Sequence, residues 1–157
     1  MGSGIAQVAA QTLMKVILND VSLERAQAGK AKIEKDLAKL VEKGKIDAGK
    51  AKSWLDLITP SGSLTDLKEA DFIVEAATER VDLKYEIFRK LDEIAKPGVI
   101  LASNTSSISI TAIAAQTKRP DCVVGMHFMN PVPVMKLVEV IRGYSTSDEV
   151  TAKIMEL

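Results

Sequence analysis

Short continuous apolar runs, each about one strand long, most constrain the fold. They are Val16-Ile17-Leu18, the middle of Asp71–Ala77, Val99–Ala102 and Val123–Met126. A strand with one wet face alternates apolar and polar residues, whereas a continuous run belongs to a strand covered on both faces. Helical patterns lie between the runs. Residues 22–43 place Ile33, Leu37, Leu40 and Val41 on one face, with Ser22 as a start signal and Gly44 as a stop. A second helix follows over Ala48–Leu57, with Trp54 as a core residue. Thr59–Ser63 reads as turn chemistry and Leu64–Ala70 as a short helix. Asp82–Ala95 is amphipathic, apolar at Leu83, Ile87, Leu91 and Ile94. Ile108–Ala115 is a short helix, and Ser147 opens another. Alternating strands and helices imply an α/β fold with a parallel sheet, whose ligands sit outside the carboxyl ends of the strands. Asp20, Glu75 to Glu79, Ser103 to Ser106 and His127 all fall at such ends.

His127 is the only histidine. Pro131 and Pro133, at alternate positions after it, exclude a central strand there and make a rigid turn. The apolar run Leu137–Val140 then returns, carrying Glu139. A strand, a turn and a returning strand place His127 beside Glu139 although twelve residues separate them. A carboxylate beside an imidazole fixes its tautomer and favours its protonated form, so the pair suits general-base chemistry near neutral pH. A lone histidine at a strand end is also an ordinary surface residue. A glutamate inside an apolar run is harder to explain away, because buried carboxylates are rare unless paired.

At the amino end, Met1-Gly2-Ser3-Gly4 leads into a small-residue helix through Leu13, and a short strand then ends at Asp20. A glycine-rich helix start followed by a strand ending in Asp suggests half of a dinucleotide-binding unit. Gly2-Ser3-Gly4 does not complete G-x-G-x-x-G, because position 7 is Gln, so Gly2 reads as the last glycine of such a loop. Asp20 is equally a turn residue or helix cap on these features alone. Lys32, Lys35, Lys39 and Lys43 form a basic stripe, either a solvated face or a contact for a polyanion. Ser103-Asn104-Thr105-Ser106-Ser107 is either a capped helix start or a loop offering amides and hydroxyls to a ligand.

Of 157 residues, 21 are Lys or Arg and 21 are Asp or Glu, a balance that argues against general nucleic-acid binding. The single Cys122 excludes an internal disulfide and suits a reducing, cytoplasmic compartment. No apolar run approaches the ~20 residues of a membrane helix. No cluster of ligating residues calls for a metal.

Taken together, Met1–Gln7, Ile73-Val74-Glu75-Ala76, Ala102–Ser107 and His127 through Glu139 resemble the 3-hydroxyacyl-CoA dehydrogenase family, and within it the bacterial 3-hydroxybutyryl-CoA dehydrogenases. The resemblance spans the whole chain. It implies reversible oxidation of an (S)-3-hydroxyacyl-CoA to the 3-oxoacyl-CoA with NAD as hydride acceptor. His127 would move the hydroxyl proton and Glu139 would orient it. Ser106 and Asn130 would hold the reacting oxygen and contact the substrate. Gly2 would belong to the cofactor loop and Asp20 would bind the adenosine ribose, disfavouring NADP. Glu79, Lys84 and Asn104 would line the cofactor site. Lys43 would contact the CoA portion, while Asp36 departs from a serine contact of the family.

The implied fold is an incomplete Rossmann-type doubly wound parallel sheet over residues 1–157, lacking its first strand and carrying an inserted helical pair. The family's C-terminal helical domain, which forms the dimer and completes the acyl pocket, would lie outside the chain. Loss of the first strand would strip a neighbour from the strands at Val16 and Ile73. These strands would then pair directly, or a homo-oligomer or strand-exchanged assembly would cover them. The chain itself would be a poor or inactive enzyme. Two other readings remain: a binding or assembly module that kept the site residues, and a dehydrogenase of another acid.

Overall fold

The computed structural model describes residues 1–157 and divides into two compact units, Met1–Asp66 with Asn130–Met135 and Leu67–Met129 with Lys136–Leu157.

In the first unit, α1 (Gly2–Gln11) leads to β1 (Val16–Asn19), then α2 (Leu23–Glu42), α3 (Ala48–Asp56) and β2 (Ile58–Ser61). Ser22 caps α2 by accepting the Arg25 amide proton, and Gly44 follows the helix at φ +67°, where a side chain would be strained. Ala6 and Ala10 of α1, Ile33 and Leu37 of α2, Ala51 of α3 and Ile58 of β2 form one buried cluster, with Trp54 partly buried against it. The helical pair thus spans the crossover between two parallel strands. The turn expected over Thr59–Ser63 is largely strand, with Val16 opposite Ile58 and Asn19 opposite Ser61. Pro60 is tolerated there, opposite Leu18, because β2 is an edge strand.

The second unit holds a four-stranded sheet in the order β3 (Phe72–Glu75), β4 (Ile100–Ser103), β5 (Val123–Phe128) and β6 (Val138–Arg142). The first three strands are parallel and β6 runs antiparallel to β5. One face packs Ile100, Ala102 and Val124 against Val150 and Ile154 of α6 (Asp148–Glu156). Alternation along the strands puts Ile73, Glu75, Leu101, Ser103, Val123, Gly125 and His127 on the other face. There α4 (Val81–Ile94) and α5 (Ile110–Ala114) cover the sheet. Gly125 is required at this point, since a Cβ there would lie 2.8 Å from Ile141 Cβ and 3.1 Å from Ile110 Cδ1.

The strands fall into two hydrogen-bonded sheets rather than one. Of the two arrangements expected for the strands at Val16 and Ile73, direct pairing does not occur. Each takes its single ladder from a neighbour in its own unit, β2 for β1 and β4 for β3.

Candidate active site

Local geometry explains how twelve residues of sequence close on one point. In the β5–β6 ladder His127 stands directly opposite Glu139, so both side chains leave the same face. His127 Nδ1 lies 2.8 Å from Glu139 Oε2. The side chains keep 22% and 51% of their surface exposed. An ionised carboxylate only accepts, so Nδ1 is the donor and Nε2 carries the lone pair of the neutral ring. The next residue is pinned as well, because Asn104 Oδ1 accepts the Phe128 amide proton at 2.8 Å.

A second constellation lies under the Ser103–Ser107 loop. Glu75, the last residue of β3, is buried. Its Oε1 accepts from Lys84 Nζ at 2.7 Å and from the Ala77 amide at 2.6 Å, and its Oε2 accepts from Ser103 Oγ at 2.7 Å. Lys84 also donates to the Ala77 carbonyl at 3.2 Å and lies 3.5 Å from Glu79 Oε2. The other Glu79 oxygen accepts from the Thr105 hydroxyl, the Ser106 and Ser107 amides at 3.1 and 3.3 Å, and the Ser107 hydroxyl at 3.2 Å. Burial acts to push the Glu79 carboxyl up, but the Thr105 hydroxyl, Lys84 and the two serines outweigh it and hold it below the usual glutamate range. Ser106 itself is exposed, beside a hollow of about 330 Å³ lined by Thr105–Thr111, Ile141 and Arg142.

The family resemblance implies Lys84 as a cofactor-lining residue, and helical periodicity predicts an apolar stripe through Leu83, Ile87, Leu91 and Ile94. The buried stripe instead runs Lys84, Phe88, Leu91 and Ala95. Lys84 is 1% exposed, and its ammonium is engaged by carboxylates and a carbonyl. The hub role of Glu75, with Ser103 and Thr105, was missed. The signal available was a charged residue closing the apolar run Phe72–Val74, with a lysine nine positions later on a helix face leading to Phe88 and Leu91.

The remaining site residues belong to the first unit. Gly2 begins α1, whose start no side chain caps. Asp20 is exposed just past β1, with Oδ1 accepting the Val21 amide proton at 2.7 Å. Lys43 is exposed at the end of α2, as are Lys32, Lys35 and Lys39, the last 3.6 Å from Asp36. Asn130 is exposed and, with Ser3, Gly4, Lys32 and Asp36, borders a hollow of about 100 Å³. No group of three or more His, Cys, Asp or Glu side chains gathers anywhere, and no helix is long and apolar enough to cross a membrane.

The sequence profile described as "3-hydroxyacyl-CoA dehydrogenase, NAD binding domain" matches residues 1–157. The chain belongs to this family. A probable 3-hydroxybutyryl-CoA dehydrogenase of Bacillus subtilis is 52% identical over all 157 residues, which are 55% of that protein. The crystal structure of an (S)-3-hydroxybutyryl-CoA dehydrogenase from Ralstonia eutropha superposes with a TM-score of 0.97 at 47% identity, over 99% of this chain and 55% of that one. A 3-hydroxybutyryl-CoA dehydrogenase structure from Escherichia coli K12 also reaches 0.97, at 44% identity, over 99% of this chain and 33% of that one. The chain thus spans about half the length, or less, of the relatives it matches.

Proposed function

We propose that the protein interconverts an (S)-3-hydroxyacyl-CoA, of the 3-hydroxybutyryl class, and the 3-oxoacyl-CoA with NAD(H). The observation that carries this reading is the 2.8 Å contact between His127 Nδ1 and Glu139 Oε2 on paired strands. It leaves Nε2 as the proton acceptor. In the oxidative direction Nε2 takes the proton of the substrate hydroxyl, and Glu139 offsets the charge that develops on the ring. The Ser106 hydroxyl, exposed in the same unit as His127, holds the reacting oxygen. NAD, when bound, supplies the hydride acceptor.

Residues of the chain fit that cofactor. The uncapped amides at the start of α1, from Gly2, suit a pyrophosphate. Asp20, with one carboxylate oxygen free of the Val21 amide, suits the ribose hydroxyls and repels the extra phosphate of NADP. Asn104 and Glu79 stand at the carboxyl ends of the second sheet, where such folds take their ligands. On the outer side of α2, Lys43 and its neighbouring lysines offer cations to the phosphates of CoA. We place the protein in the cytoplasm, in keeping with its single thiol. Free edges on β1 and β3, with exposed Leu137, Ile141 and Tyr144 before, within and after β6, support a homo-oligomer or strand-exchanged assembly. A concentration-independent monomer in sedimentation would argue against that assembly.

The test is NADH-dependent reduction of acetoacetyl-CoA, followed at the nicotinamide absorbance, with the longest reading frame that contains this chain. Turnover that His127→Ala abolishes supports the proposal. An inert protein, or a His127→Ala variant at full rate, overturns it.

A further inference from the structure

The Glu75–Lys84–Glu79 cluster is absorbed by no step of the reaction described above, yet it is the most densely bonded polar group in the second unit. Its members come from three segments. Glu75 ends β3, Lys84 sits in the first turn of α4, and Glu79 belongs to the connection between them. Glu75 and Lys84 are buried, with 3% and 1% of their side chains exposed. Their hydrogen bonds reach the end of β4 through Ser103. Glu79 is the one member that reaches outward. All four of the loop groups it binds, two hydroxyls and two amides, come from Thr105, Ser106 and Ser107, and all converge on Oε1. Its other oxygen faces Lys84.

One carboxylate oxygen therefore gathers the donors of a whole turn, while the second is tied to an ammonium that is itself seated on a buried carboxylate. A loop of small polar residues has little packing of its own to fix it. Here the fixing is electrostatic and runs back into the sheet. Ser106 lies in the middle of that turn. Its amide is held, while its hydroxyl takes part in no hydrogen bond within the chain and stands exposed.

We propose that Glu79 is a positioning residue. Braced by Lys84 on buried Glu75, it fixes the 105–107 turn and so sets the direction of the Ser106 hydroxyl. The consequence for catalysis rests on the reading that Ser106 meets the reacting oxygen, whereas the bracing of the turn does not. This role is separate from any contact Glu79 makes with the cofactor, which by itself would leave the hydrogen bonds of the loop unchanged.

Two readouts separate these roles. The first is the amide proton shifts of Ser106 and Ser107 in labelled protein, for the wild type and for Glu79→Ala. Loss of a carboxylate acceptor moves both resonances upfield. The second is steady-state kinetics in the longest reading frame. A turn released from its brace lowers kcat by roughly 10–100-fold, the effect of a misplaced contact group. Glu79→Gln, which keeps an acceptor oxygen but no charge for Lys84, falls between the two and serves if the alanine variant does not fold. The double variant Glu75→Gln/Lys84→Met removes both buried charges together and shifts the same two amides. Unmoved amide resonances overturn the proposal, as does an unchanged kcat with a raised KM for NADH. A wild-type protein without turnover overturns the dehydrogenase reading instead, and the amide shifts still decide whether Glu79 braces the turn.

Discussion

Two carboxylate–nitrogen contacts stand on one face of the same sheet at nearly equal distances, 2.7 Å for Lys84–Glu75 and 2.8 Å for His127–Glu139. Their surroundings are opposite. The first pair is almost wholly buried, whereas the second leaves about a fifth of the histidine and half of the glutamate in solvent. A buried pair cannot lose one charge without leaving the other stranded in a poor solvent for ions, so it is held in one state. In an open pair water solvates whichever partner is left alone, so the contact itself contributes little to stability. The same contact distance thus serves rigidity in one place and, under the proposed reaction, proton transfer in the other, and solvent access makes the difference.

Under the proposed reaction, the largest effect falls on turnover. His127→Ala removes the proton acceptor and lowers kcat/KM by about 10²–10⁴-fold, the usual worth of a general base, in the acetoacetyl-CoA assay. Its stability, read from a urea midpoint, changes little, because the side chain is partly exposed and its loss strands only a solvated carboxylate. Lys84→Met reverses the pattern. It strands Glu75 and costs about 3–5 kcal/mol of stability in the same urea titration, whereas Glu75→Gln/Lys84→Met recovers much of that loss. Equal stability losses at the two sites would break the contrast.

A smaller change sharpens it. Gly125→Ala drives a methyl group to 2.8 Å from Ile141 Cβ, two residues from both members of the open pair. Over-packing of this kind costs about 1–3 kcal/mol, measured by thermal melting, and shifts β6 so that turnover falls as well. The smallest effect is acid dependence at Glu79. Its folded-state pKa is depressed, so its contribution to stability is full above the ordinary glutamate range and is lost as pH falls through the lowered value. Urea midpoints taken down that range fall in the wild type, and Glu79→Gln flattens this part of the slope.

How much of this was legible beforehand follows from the same contrast. Apolar runs and helix signals gave the α/β alternation, the Ser22 cap and the Gly44 stop, because each is a local property of the chain. His127 and Glu139 could be brought together from sequence, since prolines between two apolar runs force a return and a two-residue period decides which side chains share a face. The strand at Ile58–Ser61 was hidden by Pro60, which signals a turn unless the strand is known to lie at an edge. Lys84 was hidden for a different reason. Hydrophobic periodicity treats every lysine as solvated, and only the position of Glu75 in three dimensions reveals that this one is neutralised from within. Two-sheet pairing was likewise out of reach, because which strands share a ladder depends on partners distant in sequence.

The proposed proton transfer depends most directly on the hydrogen-bonding state of His127. As the only histidine in the chain, it gives unambiguous imidazole nitrogen resonances without assignment. Nitrogen-15 spectra of the labelled protein, at a pH where the ring is neutral, should show the proton on Nδ1 and a bare Nε2, and Glu139→Gln should weaken that preference. A proton found on Nε2, with Nδ1 bare in both proteins, would contradict it.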